Sequence, residues 1–250
     1  MKPSPIAASE VFDISIPLQF GGPQPNAFGA PRAAAETLGD TRRGASVNFE
    51  TYRLTPHCNG THTECVGHIT DERISLTDCL KDVLVRARLV SVEPVRVASG
   101  DLIGDLVINL DSIRSRLGDL AEVHAVVVRT LPNSETKLSA AYDDRNVPPY
   151  FDADAAAYLA ESGVVHLLVD LPSIDRIVDE GRLRAHRAFW RIADGSRQIS
   201  NETRRNATIT ELIYVPDNVP DGDYLLNLQI PPFQADAAPS RPLLLTNPGI

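Results

Sequence analysis

The stretch 123–130 is a near-continuous apolar run that closes on Arg129 and Thr130. A run of that kind suits a strand buried on both faces, not one that alternates between core and water. A second unit follows it. Asp152 opens an Ala-rich helical segment to Glu161, Ser162 and Gly163 stop it, and residues 164–169 form another apolar strand ending at Asp170. Helix, glycine stop, apolar strand and polar strand end make up αβ punctuation. Proline supplies 19 of the 250 residues and sits mostly between apolar runs. That favours many short strands joined by fixed turns over a helical bundle.

Further strands are expected at 11–20, 46–54, 207–215 and 224–230. Residues 83–97, rich in β-branched side chains and broken by Pro94, read as one or two strands, and 243–245 as an edge strand. A short helix is expected at 111–117 with Asp111 as its N-cap. The balance is an α+β (mixed β/α) fold. Length alone leaves one large or two small domains open, but no clean linker divides the chain, so a single compact domain over 1–250 is expected. Residues 21–44, rich in Gly, Pro and Ala, read as a long loop or arm, of the sort that serves as a lid or packs on a partner.

Composition excludes some functions. Lys and Arg number 24 against 33 Asp and Glu, a net charge of −9, which argues against a nucleic-acid partner because phosphate binding needs a basic face. Three cysteines, Cys58, Cys65 and Cys79, do not make a disulfide framework. Residues 1–5 carry no apolar signal region, and no apolar run approaches the ~20 residues that span a bilayer. A cytoplasmic protein without a membrane partner is the expectation.

The chemistry concentrates between residues 57 and 68. Three of the six histidines, His57, His62 and His68, fall there with Cys58, Cys65 and Glu64. In an extended segment His62 and Glu64 project to one face, and a turn at Asn59-Gly60 folds Cys58 or His57 back toward them. Imidazole, carboxylate and thiolate are zinc ligands, and the first two also accept manganese. His68 is placed to act as acid or base near neutral pH. The competing reading is a hydrogen-bonded turn with no metal. Among distant residues, His186 is a candidate donor, although a surface histidine among arginines reads the same way. Glu211 is a carboxylate inside an apolar strand, costly to bury unless paired or coordinated; it serves equally as the wet face of an amphipathic strand. His124 and His166 lie in apolar runs and read as core residues. No phosphate-binding glycine loop, nucleophile elbow or dinucleotide fingerprint is present.

At this cluster the chain resembles the cyclase-type metal-dependent hydrolases, which include bacterial kynurenine formamidases and isatin hydrolases. The family pattern H-x-G-T-H-x-D-x-P-x-H is met by Gly60, Thr61, His62, Glu64 and His68. Val169, Asp170, Ser173 and Asp175 resemble its later V-D-x-x-S-x-D stretch. His186 and Glu211 follow in the family's order. The resemblance implies His62, Glu64, His186 and Glu211 as metal ligands, one or two zinc or manganese ions, and His68 as the catalytic acid/base. It also implies a swivelling β/β/α fold, a homodimer or larger assembly such as a tetramer, and a small-molecule substrate bearing an amide, formamide or cyclic amide or lactone bond. Three differences stand out. Cys58 falls on the family's first His, so that Cys58 ligates or, if Asn59 is an insertion, His57 does. Glu64 replaces Asp, and Val66 replaces Pro. The interval from His186 to Glu211 also leaves room for an inserted hairpin near 196–205. Arg129, Arg145 and the 21–44 segment are candidates to meet a substrate carboxylate. A non-catalytic metal-binding protein on the same scaffold is the alternative.

Overall fold

The computed structural model of the chain describes residues 10–246. Residues 1–5, from which the lack of a secretory signal is read, lie outside that range. Nine strands build one mixed sheet: β1 Val11–Asp13, β2 His62–Cys65, β3 Val85–Val92, β4 Ala125–Thr130, β5 His166–Val169, β6 Thr208–Glu211, β7 Gly222–Asn227, β8 Ala237–Pro239 and β9 Leu243–Leu245. Their order across the sheet is β1-β9-β7-β3-β4-β5-β6-β2-β8. The four central strands β3 to β6 run parallel. Antiparallel strands flank them on both sides.

All six residues of β4 are buried, as the apolar run requires. Its side chains alternate between two cores. Val126 and Val128 join Leu167, Val169 and Ile209 beneath the helices. Ala125 and Val127 join Leu168, Tyr224, Leu226 and Leu244 on the other face, which Ile14, Ile213 and Val215 close. The helical face carries α1 Leu76–Cys79, α2 Leu110–Leu117, α3 Ala153–Glu161 and α4 Arg184–Trp190. Asp152 caps α3 as expected, Oδ1 accepting from Ala155 N at 2.7 Å. The first residue of α2 is Leu110 and its cap is Asn109, not Asp111, with Asn109 Oδ1 accepting from Ser112 N at 2.9 Å. Asn caps as well as Asp, and the carboxylate of Asp111 then lies in the first turn, where the helix dipole favours it. Trp190 ends α4 fully buried, and its indole N–H donates to Ala207 O at 2.9 Å. Truncating such a side chain costs about 3–5 kcal/mol, and this one anchors the helix that carries His186.

Other expectations change in detail. Residues 83–97 divide at Pro94 into β3 and a short strand, Val95–Arg96. Of 11–20 only β1 joins the sheet. β9 is interior, between β1 and β7, because the chain's first strand pairs outside it. The 46–54 strand is Phe49–Arg53, and it lies outside the main sheet. It pairs antiparallel with Ala34–Gly39, drawn from the 21–44 segment, to make a nearly fully exposed hairpin arm. His124 is exposed, whereas His166 is buried between Thr208 and Asp82. Residues 196–205 hold turns and no strand. Arg204 ties them to the core through Phe189 O at 2.8 Å. No helix among the described residues is long and apolar enough to cross a membrane.

Candidate metal centre

The site forms where β2 lies between β6 and β8. A single 3-10 turn, Pro56–Cys58, leads into it. Asn59 fixes the turn: its Oδ1 accepts from Thr55 N at 2.7 Å and its Nδ2 donates to Pro31 O at 3.0 Å. Gly60 follows at φ +140°, a conformation that side-chain-bearing residues rarely adopt. Thr61 Oγ1 donates to Leu212 O at 2.5 Å and accepts from Ile16 N at 2.8 Å, which clamps the strand entry. Strand alternation then puts His62 and Glu64 on one face. Thr63 turns to the other and meets Thr210 Oγ1 at 2.8 Å. The register pairs His62 with Glu211, so two candidate ligands lie side by side on adjacent strands. After β2, a second 3-10 turn at Val66–His68 brings His68 back over the site. A Cβ on Gly67 would collide with the Ile74 carbonyl, so this return needs glycine. His186 arrives from the first turn of α4.

Glu64 is the hub. Its Oε1 lies 2.9 Å from His186 Nε2, and its Oε2 lies 2.9 Å from His57 Nδ1 and 3.8 Å from His68 Nε2. Glu211 Oε2 lies 3.4 Å from His62 Nε2, and its Oε1 lies 3.7 Å from His186 Nε2. Oε1 of Glu211 also accepts from Ile174 N at 2.8 Å. Two sets of donor atoms converge within 4.8 Å and share Glu64: His62, Glu64 and Glu211 inside, His57, Glu64 and His68 toward the surface.

Partners outside the cluster orient the rings. His62 Nδ1 donates to Gly60 O at 2.9 Å, so that in the neutral ring Nε2 presents the lone pair. His186 Nδ1 donates to Asp175 Oδ2 at 2.6 Å. Such outer partners fix tautomers in metal sites. His62 Nε2 and His57 Nδ1 are buried yet have no hydrogen-bond partner, although each faces a carboxylate oxygen. Buried polar atoms are ordinarily satisfied. Ring nitrogens aimed at carboxylates fit a divalent cation that takes the place of a proton, and imidazole with carboxylate suits zinc or manganese. The charges agree. Burial opposes protonation of His57, but the carboxylates of Asp236 and Glu64 outweigh it and raise its pKa to about 10. Burial likewise opposes a charge on His186, and Asp175 and Glu64 raise it well above the usual histidine range. Burial opposes ionisation of Glu64, yet His68, His186 and His57 hold its pKa well below the carboxylate range. Without an ion, protons on the imidazoles balance the buried carboxylates.

The structure therefore brings His62, Glu64, His186, Glu211 and His68 into one cluster. Cys58 is buried beside it, outside both converging sets, and His57 lies in the outer one. Burial and then the Glu211 charge push the Cys58 pKa up. Asp236, between His57 and His68, has no signal in the sequence; only strand pairing brings it there. Asp170 lies off the site, buried, accepting from Thr130 N at 2.9 Å and from Lys137 Nζ at 2.7 Å. Arg129 is not free to meet a substrate. It is buried and donates to Ser91 Oγ, Pro216 O, Val219 O and Asp221 Oδ1 at 2.8–2.9 Å. Arg145 is exposed on a turn beside Asp143.

A histidine–carboxylate cluster on a mixed sheet makes this a protein of the mixed β/α class with a candidate metal site. Sequence comparison agrees with the fold. The Cyclase family, described as "Putative cyclase", matches residues 12–176, more than half of the chain, and the chain belongs to it. The kynurenine formamidase of Bacillus thuringiensis (strain Al Hakam) is 28% identical over 243 residues, covering 94% of this chain and 97% of the relative. That of Bacillus anthracis is 28% identical over 210 residues, covering 84% and 85%. Among solved structures, an isatin hydrolase bound to the product analogue thioisatinate superposes with a TM-score of 0.67 at 18% identity, covering 95% of this chain and 92% of its own. A predicted metal-dependent hydrolase from Bacillus stearothermophilus gives a TM-score of 0.63 at 21% identity, covering 95% and 98%.

Proposed function

We propose that the chain is a metal-dependent hydrolase of a formamide or amide C–N bond, N-formylkynurenine being the first substrate to test, with cyclic amides or lactones next. The observation that carries this reading is the pair of buried, unpartnered nitrogens, His62 Nε2 and His57 Nδ1, facing the carboxylates of Glu211 and Glu64. The similarity to kynurenine formamidases supports the bond type. His62, Glu64, His186 and Glu211, with His57 or Cys58 completing the set, would hold one or two zinc or manganese ions. Such an ion, when bound, lowers the pKa of water and polarises a carbonyl. His68, the partly exposed ring at the site's rim, is the group that takes a proton from water and returns it to the leaving nitrogen. Glu64 and Asp236 orient that ring from either side.

The same reading takes a small-molecule substrate and a homo-oligomer of two or four chains. The exposed Leu38, Phe49 and Tyr52 of the hairpin arm support the latter. A cytoplasmic setting is supported by three buried free thiols.

The test is metal content by inductively coupled plasma mass spectrometry on tag-free protein, with formate release from N-formylkynurenine. One or two ions per chain, lost in His62→Ala, together with turnover that His68→Ala abolishes at unchanged metal content, is the expected result. Metal loss in His68→Ala makes that ring a ligand. No metal after reconstitution sinks the mechanism. The departures at Cys58 and Glu64 favour one second reading, a metal-binding protein without hydrolytic activity. Bound metal with no turnover across a formamide and lactone panel would select it.

A further inference from the structure

Asp236 immediately precedes β8, whose Ala237 pairs with Glu64 on the site strand. Its carbonyl accepts from Cys65 N at 2.9 Å, which fixes the backbone at the outer end of the cluster. From there Oδ2 reaches His57 Nε2 at 3.0 Å and His68 Nδ1 at 3.4 Å. The two rings lie against each other, centroids 4.2 Å apart and planes tilted by 30°. Their other nitrogens, His57 Nδ1 and His68 Nε2, face a single oxygen, Glu64 Oε2. The four groups close a box with Asp236 at one end and Glu64 at the other.

A neutral imidazole that donates from one nitrogen presents a lone pair at the other. Donation to Asp236 therefore sets Nε2–H in a neutral His57, and the 3.4 Å ion-pair contact with the same oxygen favours the opposite tautomer, Nδ1–H, in His68. Both bare nitrogens then point inward. The rings need this support because each is partly open to solvent, with side-chain exposures of 25% and 30%.

We propose that Asp236 is a positioning residue that fixes the tautomers of His57 and His68, presenting His57 Nδ1 as a ligand atom and His68 Nε2 as the proton acceptor. The assignment of roles rests on the hydrolase reading above. The tautomers themselves rest on the hydrogen bond to His57 and the ion-pair contact to His68. Through Asp236, His57 takes up the task that the family pattern gives to the position of Cys58.

The experiment is long-range nitrogen–proton correlation NMR on protein labelled at histidine nitrogen, with and without zinc, at a pH where His68 is neutral. Wild type is compared with Asp236→Asn and Asp236→Glu, and Tm, zinc content, kcat and KM are recorded for each. Wild type is expected to show Nδ1–H at His68, with or without zinc, and Nε2–H at His57 once zinc is bound. Asp236→Asn is expected to lose the Nδ1–H preference of His68 and to lower kcat roughly 10- to 100-fold, the usual range for an outer partner. KM, Tm and the zinc held by the inner donors stay as in wild type, and Asp236→Glu recovers part of kcat. Unchanged tautomers and kcat in Asp236→Asn overturn the proposal. So does equal loss of kcat in both variants with a fallen Tm, which assigns Asp236 a structural role. A wild type that binds no zinc and hydrolyses nothing overturns the hydrolase reading, while the His68 tautomer on the metal-free chain still decides the role of Asp236.

Discussion

Asp175→Asn separates the orientation of His186 from its presence. Asp175 is buried and accepts three bonds: Oδ1 from Ala185 N at 2.8 Å, and Oδ2 from His186 N at 3.1 Å and from His186 Nδ1 at 2.6 Å. One carboxylate thus caps α4 and fixes the tautomer of the ring the helix delivers. Asparagine keeps the shape but has one acceptor oxygen. If that oxygen stays on Ala185 N, an amide N–H faces His186 Nδ1–H, donor against donor. The ring then moves its proton to Nε2, the atom that faces Glu64 Oε1 at 2.9 Å, and ceases to be a ligand there. Losing such an outer partner costs roughly 10- to 100-fold in metal affinity, or about 1.4–2.7 kcal/mol. The metal-free fold loses as well. Burial opposes the Asp175 charge, but His186 and the helix N–H groups hold its pKa below the usual value of 3.8. The stabilisation is therefore present above that value and is lost as pH falls through the lower folded pKa. A charge-assisted bond contributes about 1.5–3 kcal/mol, which is about 3–12 °C in Tm for a chain of this size at roughly 2–4 °C per kcal/mol. Zinc affinity by competition with a chromophoric chelator, and Tm with and without zinc, measure both effects at neutral pH. Zinc affinity in Asp175→Asn within threefold of wild type, alongside a large loss in His186→Ala, would refute the tautomer argument. Retained affinity in His186→Ala would remove His186 from the ligand set altogether.

Stripping metal with chelator is expected to lower Tm by about 5–11 °C when compared with zinc at a hundredfold excess over Kd, because such binding contributes about 2.7 kcal/mol to the native state alone; scanning calorimetry reads it, and no shift contradicts a native-state site. His166 lies away from the centre, and burial lowers its pKa below 6.5. Its neutral form stabilises the fold above that value and the contribution is lost as pH drops through the lower folded pKa, so His166→Gln is expected to show a smaller fall in Tm than wild type between about pH 7.5 and 5.5. Arg129→Lys forfeits the guanidinium fork that spans Ser91, Pro216, Val219 and Asp221; at about 1.5–3 kcal/mol per bond to a charged group it destabilises markedly, while kcat and KM of the folded fraction stay unchanged. A selective rise in KM would instead return Arg129 to substrate binding.

What could be read from the sequence divides along the range of the forces that act. The α3 helix and its Asp152 cap are local, and β4 declares itself by burial on both faces, so both were legible. His62 and Glu64 share a face because a strand repeats every two residues, and Glu211 stood out as a carboxylate among apolar neighbours. His186 depended on the family pattern, since nothing near it says which strand its helix crosses. The choice between Cys58 and His57 was beyond counting along the chain. Both lie in one 3-10 turn, where successive side chains diverge by about a third of a turn, so the residue that faces the site is set by how Asn59 and Gly60 fix the exit. β9 looked like an edge because its pairing with β1 is a long-range event. Asp236 was invisible for the same reason, being placed only by the Ala237–Glu64 register. These two late-placed features explain each other. An imidazole at 57 without Asp236 lacks the bond that bares its Nδ1, and Asp236 without His57 has only the longer contact to His68. Their effects on zinc affinity should therefore be coupled: His57→Ala and Asp236→Asn together are expected to cost little more than His57→Ala alone. Additive losses in that double-mutant cycle would show that Asp236 acts on the centre without His57, through the His68 ring alone.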